Sequence, residues 1–422
     1  MDLDEESLKF LSKLLSCNKV TDANGVDILD CKEFWRSENV VEWFKDKGYT
    51  TYRKFPHSAF CDGPRLPYET YCKCDYPFAY HQADNGLAAQ DMTGKFVFAQ
   101  DTQRRHVAIK LTRIGSEEYR IMRFLHEQNL EDMQRHCILP ILELLHCHDA
   151  CFAVMPRWGS AIYQPRTNTM GGLLFIMQSA LKALTFLHSN NIIHRDLNMN
   201  NMVVNFFGND MSNKSGGYYP LRQSHLAESL LSYALIDFDL SIMVPPDIRK
   251  QDFRLPRKES RVGTYSPTDT LQGEFDYNPF AYDVGTLGAV FCESYQRYTE
   301  EIPMLAPFLD SMIARDIKRR FTAAQALEFL DDIINNATED QLSIPEDEDP
   351  YSRLTGHYEG YDRWKGLPKD FQEKWNVYRE PIGLPLSWKI LRAIRGIDWL
   401  PESLIPNIRW FVFKALNYPK RL

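Results

Sequence analysis

Four residues at fixed distances in this chain could together do phosphate chemistry. Asp196 and Asn201 stand five positions apart in Ile193-His194-Arg195-Asp196-Leu197-Asn198-Met199-Asn200-Asn201, a polar loop followed by the apolar triplet Met202-Val203-Val204. A further acid, Asp237, closes the run Leu235-Ile236 and is followed by Phe238-Asp239, and Lys110 ends Val107-Ala108-Ile109-Lys110. A carboxylate such as Asp196 can orient a hydroxyl and take its proton. An Asn and an Asp can share divalent cations, and a lysine ammonium can hold phosphate oxygens. Each would be an ordinary polar residue on its own. In this order and spacing, chance is a poor explanation.

The elements that must position them are readable around them. Leu173 to His188 repeats apolar residues at helical spacing and delivers the chain to the Asp196 loop. Lys95–Ala99 and His106–Leu111 flank the polar turn 100–105 and predict an antiparallel hairpin carrying Lys110. Ser116 caps a helix with Glu117 and Glu118 in its first turn and Ile121, Met122, Phe124 and Leu125 on one face. Glu118 is the acid expected to reach back to Lys110, with Glu117 the alternative. Ile138–Leu145 and Cys151–Met155 read as strands that complete a five-stranded sheet. The insertion between Asn205 and Tyr233 reads as a surface excursion.

Residues 1–85 read as an extension whose aromatic stripe (Phe34, Trp35, Val40, Val41, Trp43, Phe44) caps the following domain, with Pro56 to Tyr80 a long surface loop. Residues 336–350 are acidic and Pro-punctuated, as a linker would be. The 351–422 tail sets tryptophans among basic residues, and Trp388–Ile394 and Ile408–Leu416 could be amphipathic helices. Packing on the body or binding a partner is the expected use of that tail, a membrane-surface helix the rarer one.

Composition excludes several classes. The 422 residues are 44% hydrophobic with a net charge of −8, which fits a globular protein and argues against nucleic acid as a partner. No apolar run reaches the roughly 18 residues of a transmembrane helix. The acidic start Met1-Asp2-Leu3-Asp4-Glu5-Glu6 is unlike a secretory signal, so a cytoplasmic or nuclear protein is expected. Nine cysteines, an odd number scattered along the chain, suit reduced thiols. Neither Cys61, Cys72 and Cys74 nor His146, Cys147, His148 and Cys151 is read as a zinc site.

Taken together, His194-Arg195-Asp196-Leu197 with Asn201, Asp237-Phe238, Val107-Ala108-Ile109-Lys110, Asp283-Val284-Gly285-Thr286-Leu287-Gly288 and the stretch Asp316 to Leu327 resemble a eukaryotic protein-kinase domain over residues 86–335. Trp35-Arg36, Trp43 and Gly48-Tyr49 are similar to a stretch in the divergent kinase-like proteins of mushroom-forming fungi. The resemblance implies an α+β, bilobal fold, with a small antiparallel-sheet lobe at 86–157 and a larger, mainly helical lobe at 158–335. It implies ATP and Mg as cofactors and a protein substrate, Ser/Thr ahead of Tyr. Asp196 would be the base and Asn201 and Asp237 the metal ligands. Lys110, braced by Glu118, would grip the inner phosphates. Gly94, Val97, Ala108, Met155, Trp158 and Val203 would line the nucleotide pocket, with the 157–159 backbone facing adenine. His194 and Phe238 would belong to an internal spine. Arg195 would receive a phosphorylated residue, and Arg320 would pair with Asp269.

The sequence also departs from the family pattern. Only Gly94 remains of the glycine-rich turn, and Pro156 removes a hinge donor. Asn198 stands where a lysine is usual, Asp239 where glycine is, and Gly285 where tryptophan is. These departures keep two alternatives open, a pseudokinase scaffold and a small-molecule kinase.

Overall fold

A computed structural model describes residues 2–16, 34–54, 60–62, 75–81, 88–90, 94–160, 169–208, 230–261, 263, 267, 270, 274–345, 358–395 and 404–415. Thr264, Tyr265, Ser266 and Asp269 lie outside the described residues, as does most of the insertion after Asn205. The fold is mixed α+β, and the chain divides into two compact units, residues 1–166 with 200–239 and residues 167–199 with 240–422.

The first unit is built on a five-stranded antiparallel sheet: β1 (Thr50–Thr51), β2 (Phe96–Gln100), β3 (His106–Arg113), β4 (Glu143–Cys147) and β5 (Ala150–Pro156), in the order β1-β2-β3-β5-β4. The predicted hairpin forms with Phe98 opposite Ala108. The edge strand, however, comes from the extension, not from the residues just before β2. Ala88–Gln90 pairs with Phe60–Asp62 in a separate small sheet.

The extension is therefore part of the core. Helices α1 (Glu5–Ser16) and α2 (Glu38–Asp46) bring Leu11, Val40, Trp43 and Phe44 against Ile109, Phe152 and Val154. Phe34, Trp35, Trp43 and Phe44 all lie within aromatic contact of Phe152, at centroid distances of 5.1–6.2 Å. Their stripe buries the sheet face that alternation turns away from Lys110. Pro56 to Tyr80 is also less of a loop than expected, since Phe78 and Ala79 are buried and Tyr80–His81 pairs in parallel with Phe206–Phe207. That pairing puts the start of the insertion in the core too, with Phe206 only 1% exposed.

Helix α3 (Glu117–His126) starts at Ser116, whose hydroxyl accepts the Tyr119 N–H at 3.1 Å. A short sheet follows, β6 (Gly159–Ser160), β7 (Met202–Val204) and β8 (Tyr233–Leu235). Helix α4 (Leu130–Arg135) is capped by Asn129.

The second unit is mainly helical: α5 (Met170–Ser189), α6 (Pro279–Tyr295), α7 (Leu305–Met312) and α8 (Ala323–Asn336). Among the described residues α5 is the one helix long and apolar enough to cross a membrane, and 61% of its apolar window is buried inside the protein. Asn278 caps α6 with Pro279 in its first turn, and Thr322 with Gln325 forms a capping box on α8. Part of the expected linker is structured, since Thr338 caps a short helix and the Ile344 carbonyl accepts the Met170 N–H.

The tail folds onto this unit. It supplies α9 (Lys369–Trp375), α10 (Leu386–Arg395) and α11 (Ile405–Ala415). Its anchor is Asp310 on α7, fully buried, whose carboxylate accepts from Arg363 Nε (2.5 Å), Trp364 Nε1 (2.7 Å) and the Glu380 N–H (2.8 Å). Asp310→Ala would strand the Arg363 guanidinium and two N–H donors. We expect it to cost about 3–5 kcal/mol, the scale of a broken buried ion pair, read as a fall in the unfolding midpoint in urea.

Candidate active site

Lys110 is the centre of the first unit's polar cluster. It lies on β3 on the same face as Ala108, opposite the aromatic core, with its side chain 3% exposed. Its Nζ stands 2.5 Å from Glu118 Oε1 and 2.6 Å from Asp237 Oδ1. Glu118 is fixed in turn by the Thr112 hydroxyl, which donates to Oε2 at 3.0 Å. Glu117 points elsewhere, to Arg120 on the helix surface. About 100° of helical rotation, the step between adjacent residues, separates the two acids' roles.

Burial alone would push the Lys110 pKa down. The carboxylates of Asp237, Glu118 and Asp239 outweigh that penalty and hold the ammonium above the ordinary lysine range. Asp239 keeps solvent contact, yet desolvation and the neighbouring Asp237 raise its own pKa. Three carboxylates therefore act on the Lys110 ammonium, with Lys95 also close enough to Asp239 to oppose the rise in its pKa.

Asp237 is presented by β8, and the Asn201 carbonyl accepts the Ile236 N–H at 2.9 Å. With Met202 opposite Leu235, this pairing sets Asn201 beside the strand end that carries Asp237. Asp237 holds φ +71°, a left-handed conformation unusual for a non-glycine residue and one that clusters at functional sites.

The residues expected to line a nucleotide pocket do not all share one face of the sheet. Ala108 and Met155 are register partners on the Lys110 face of the sheet. Val97 is not on that face: it pairs with Ile109 and belongs to the core under α1 and α2. Phe98, opposite Ala108, is on the Lys110 face instead, and the Phe96 ring centre lies 5.3 Å from the Lys110 Nζ. Gly94, at φ +71°, has its carbonyl engaged by Trp35 Nε1 at 2.7 Å.

The backbone of residues 157–160 is also less free than expected. The Arg157 N–H donates to the His106 carbonyl at 3.0 Å, and Gly159 and Ser160 pair with Val204 and Val203. A Cβ at Gly159 would fall 2.2 Å from the Phe206 carbonyl oxygen, so only glycine fits there. The Trp158 indole donates to the Pro77 carbonyl at 2.7 Å. The Trp158 peptide groups take no part in the pairings just described.

The second unit presents Asp196 on its own scaffold. Ile192–Ile193 pairs with Ile242–Met243, and the next two N–H groups, of His194 and Arg195, each donate to Asp283 at 2.8 Å. Asp283 is fully buried on α6 and also accepts from His188 Nε2 at 3.0 Å. Sequence reading placed Asp283 in a helix motif but missed this anchoring role. Arg195 takes φ +69° under that clamp. Its guanidinium donates to the Glu259 carbonyl at 2.9 Å and lies 3.4 Å from the Glu259 carboxylate, where a phosphorylated residue was expected.

Asn198 turns into its own loop, donating to the Asp196 carbonyl at 3.1 Å. A Cβ at Gly263 would lie 2.3 Å from the Arg195 carbonyl oxygen, so the chain there runs directly against the loop. Gly285 has a physical reason as well: a Cβ would sit 2.6 Å from Arg320 Nη1, which donates to the Ala281 carbonyl while Nε and Nη2 donate to Ala314.

The Lys110–Glu118 ion pair and the Asp237 carboxylate are thus brought together in the first unit. No protein-family model matches the chain, and no curated protein matches it.

Proposed function

We propose that this chain is an ATP- and Mg-dependent protein kinase of the two-lobed α+β type, phosphorylating protein hydroxyls, Ser/Thr ahead of Tyr. The observation that carries the proposal is the Lys110 ammonium held between Glu118 and Asp237, from three separate elements. Lys110 grips the inner phosphates of ATP, and Glu118 keeps the ammonium in place and charged. Asn201 and Asp237 would hold Mg, which when bound neutralises phosphate oxygen charge. Asp196 orients the acceptor hydroxyl and takes its proton. The aromatic and apolar face of Phe98, Ala108 and Met155 suits a flat base, with the Trp158 peptide as its polar contact.

A second reading, a nucleotide-binding scaffold with little transfer, is favoured by Asn198, a neutral side chain whose amide donates to the Asp196 carbonyl of its own loop. Labelled ATP with Mg and generic protein substrates separates the two. Transfer that falls by about 100- to 10,000-fold in Asp196→Ala is the expected result. Thermal stabilisation by ATP with no transfer by the wild-type chain would move the assignment to the scaffold.

A further inference from the structure

We propose that the C-terminal helix α11 is a docking element for an anionic lipid surface. Its two sides differ in a way the rest of the fold does not use. Ile405 is buried, and Arg409, one turn on, pairs with Glu274 at 3.3 Å, which fixes one side of the helix to the protein. At about 100° per residue, Trp410, Phe411 and Lys414 fall on the opposite arc, together with Leu404 just ahead of the helix. All four are exposed: Leu404 46%, Trp410 52%, Phe411 65%, and Lys414 openly so.

The chemistry of that arc is that of the membrane–water boundary. Trp410 and Phe411 pack edge to face at 5.0 Å and present two large rings to solvent. The Lys414 ammonium lies 4.6 Å from the Trp410 ring centre, on a stem long enough to leave its charge at the headgroups while the rings go deeper.

Charge along the sequence selects the kind of surface. Residues 386–422 carry seven Lys/Arg and two Asp/Glu, a net +5, whereas the whole chain is −8, so residues 1–385 carry −13. The charge of this terminus is opposite in sign to that of the rest of the chain, which favours an anionic surface over a neutral one even with Arg392 and Arg409 paired to Glu359 and Glu274. A second copy of the chain suits the patch less well, because a two-fold interface through it would set basic tail against basic tail. A standard protein–protein interface buries roughly 800 Å² per side, so a folded partner would have to reach past this 11-residue helix onto neighbouring residues. A lipid surface needs only the wedge.

The test uses the full chain and does not depend on phosphoryl transfer. Phosphatidylcholine vesicles with and without phosphatidylserine are sedimented with the wild type, with the doubly substituted Trp410→Ser/Phe411→Ser chain and with Lys414→Glu. The wild type is expected to follow only the phosphatidylserine vesicles, and to release as salt is raised. Both variants are expected to bind them at least about tenfold more weakly. Their unfolding midpoints should stay at the wild-type value, because the replaced side chains face solvent. Brominated lipid should quench wild-type tryptophan fluorescence and quench the double variant less. Equal sedimentation of wild type and double variant would overturn the proposal. So would a wild-type dimer that the double substitution converts to monomer.

Discussion

Lys110→Ala is expected to lower phosphoryl transfer by about 100- to 1,000-fold, the cost of removing one preorganised charge from a transferring group. It should also destabilise the fold, which a purely catalytic lysine would not do. The ammonium is 3% exposed and neutralises Glu118, whose side chain is 13% exposed, and Asp237, which is 29% exposed. Removing one member of a buried ion pair costs about 3–5 kcal/mol. The solvent that still reaches Asp237 places the expected loss at the lower end of that range. The doubly substituted Lys110→Ala/Glu118→Gln chain separates the two effects: it should recover part of the stability and none of the transfer. Full recovery of transfer would show that Lys110 serves the fold alone.

The pH dependence follows from the same contacts. The folded pKa of Lys110 is raised above its unfolded value, so its contribution is complete below the ordinary lysine range. That contribution is lost only as pH rises through the folded pKa. Between pH 6 and 9, about the span below the ordinary lysine pKa, the difference in unfolding free energy between wild type and Lys110→Ala should therefore show no drift from the lysine itself.

What could be read in advance was what lies close along the chain. The loop from His194 to Asn201, Asp237-Phe238 and the strand carrying Lys110 are linear patterns, and the strand forms where it was expected. Glu118 was legible because helical rotation points only one of two adjacent acids inward. Features set by pairing distant segments were not legible. Thr50–Thr51 is too short to show a period, yet it forms the sheet edge because Thr51 finds Ala99 as its partner. Val97 and Phe98 differ by one place in the pleat, and a run of apolar residues does not reveal which one faces Lys110. Asn198 was read as a missing lysine. Its actual partner, the Asp196 carbonyl, depends on how the loop closes.

Asp283 is the strongest case of that kind, and its removal should have the largest effect on the second unit. Its Oδ1 accepts the Arg195 N–H, and its Oδ2 accepts both the His194 N–H and His188 Nε2. Each buried donor left unpaired costs about 1–3 kcal/mol. Asp283→Ala strands three donors around a site with no solvent exposure. The expected loss is about 3–6 kcal/mol, allowing for non-additivity within one network. The same bonds hold Arg195 at φ +69°, a conformation costing on the order of 1–3 kcal/mol that relaxes once the clamp is gone. Asp196 is the next residue, so its position is lost with that relaxation, and transfer should disappear even at temperatures where the variant stays folded. Asp283→Asn keeps one acceptor oxygen and turns an NH2 toward a donor, so an intermediate loss is expected. Hydrogen exchange supplies the check. The His194 and Arg195 amides should exchange much faster in Asp283→Ala, whereas Asp196→Ala should leave both protected while removing transfer. Protection unchanged in Asp283→Ala would mean that the loop is held by something other than this carboxylate.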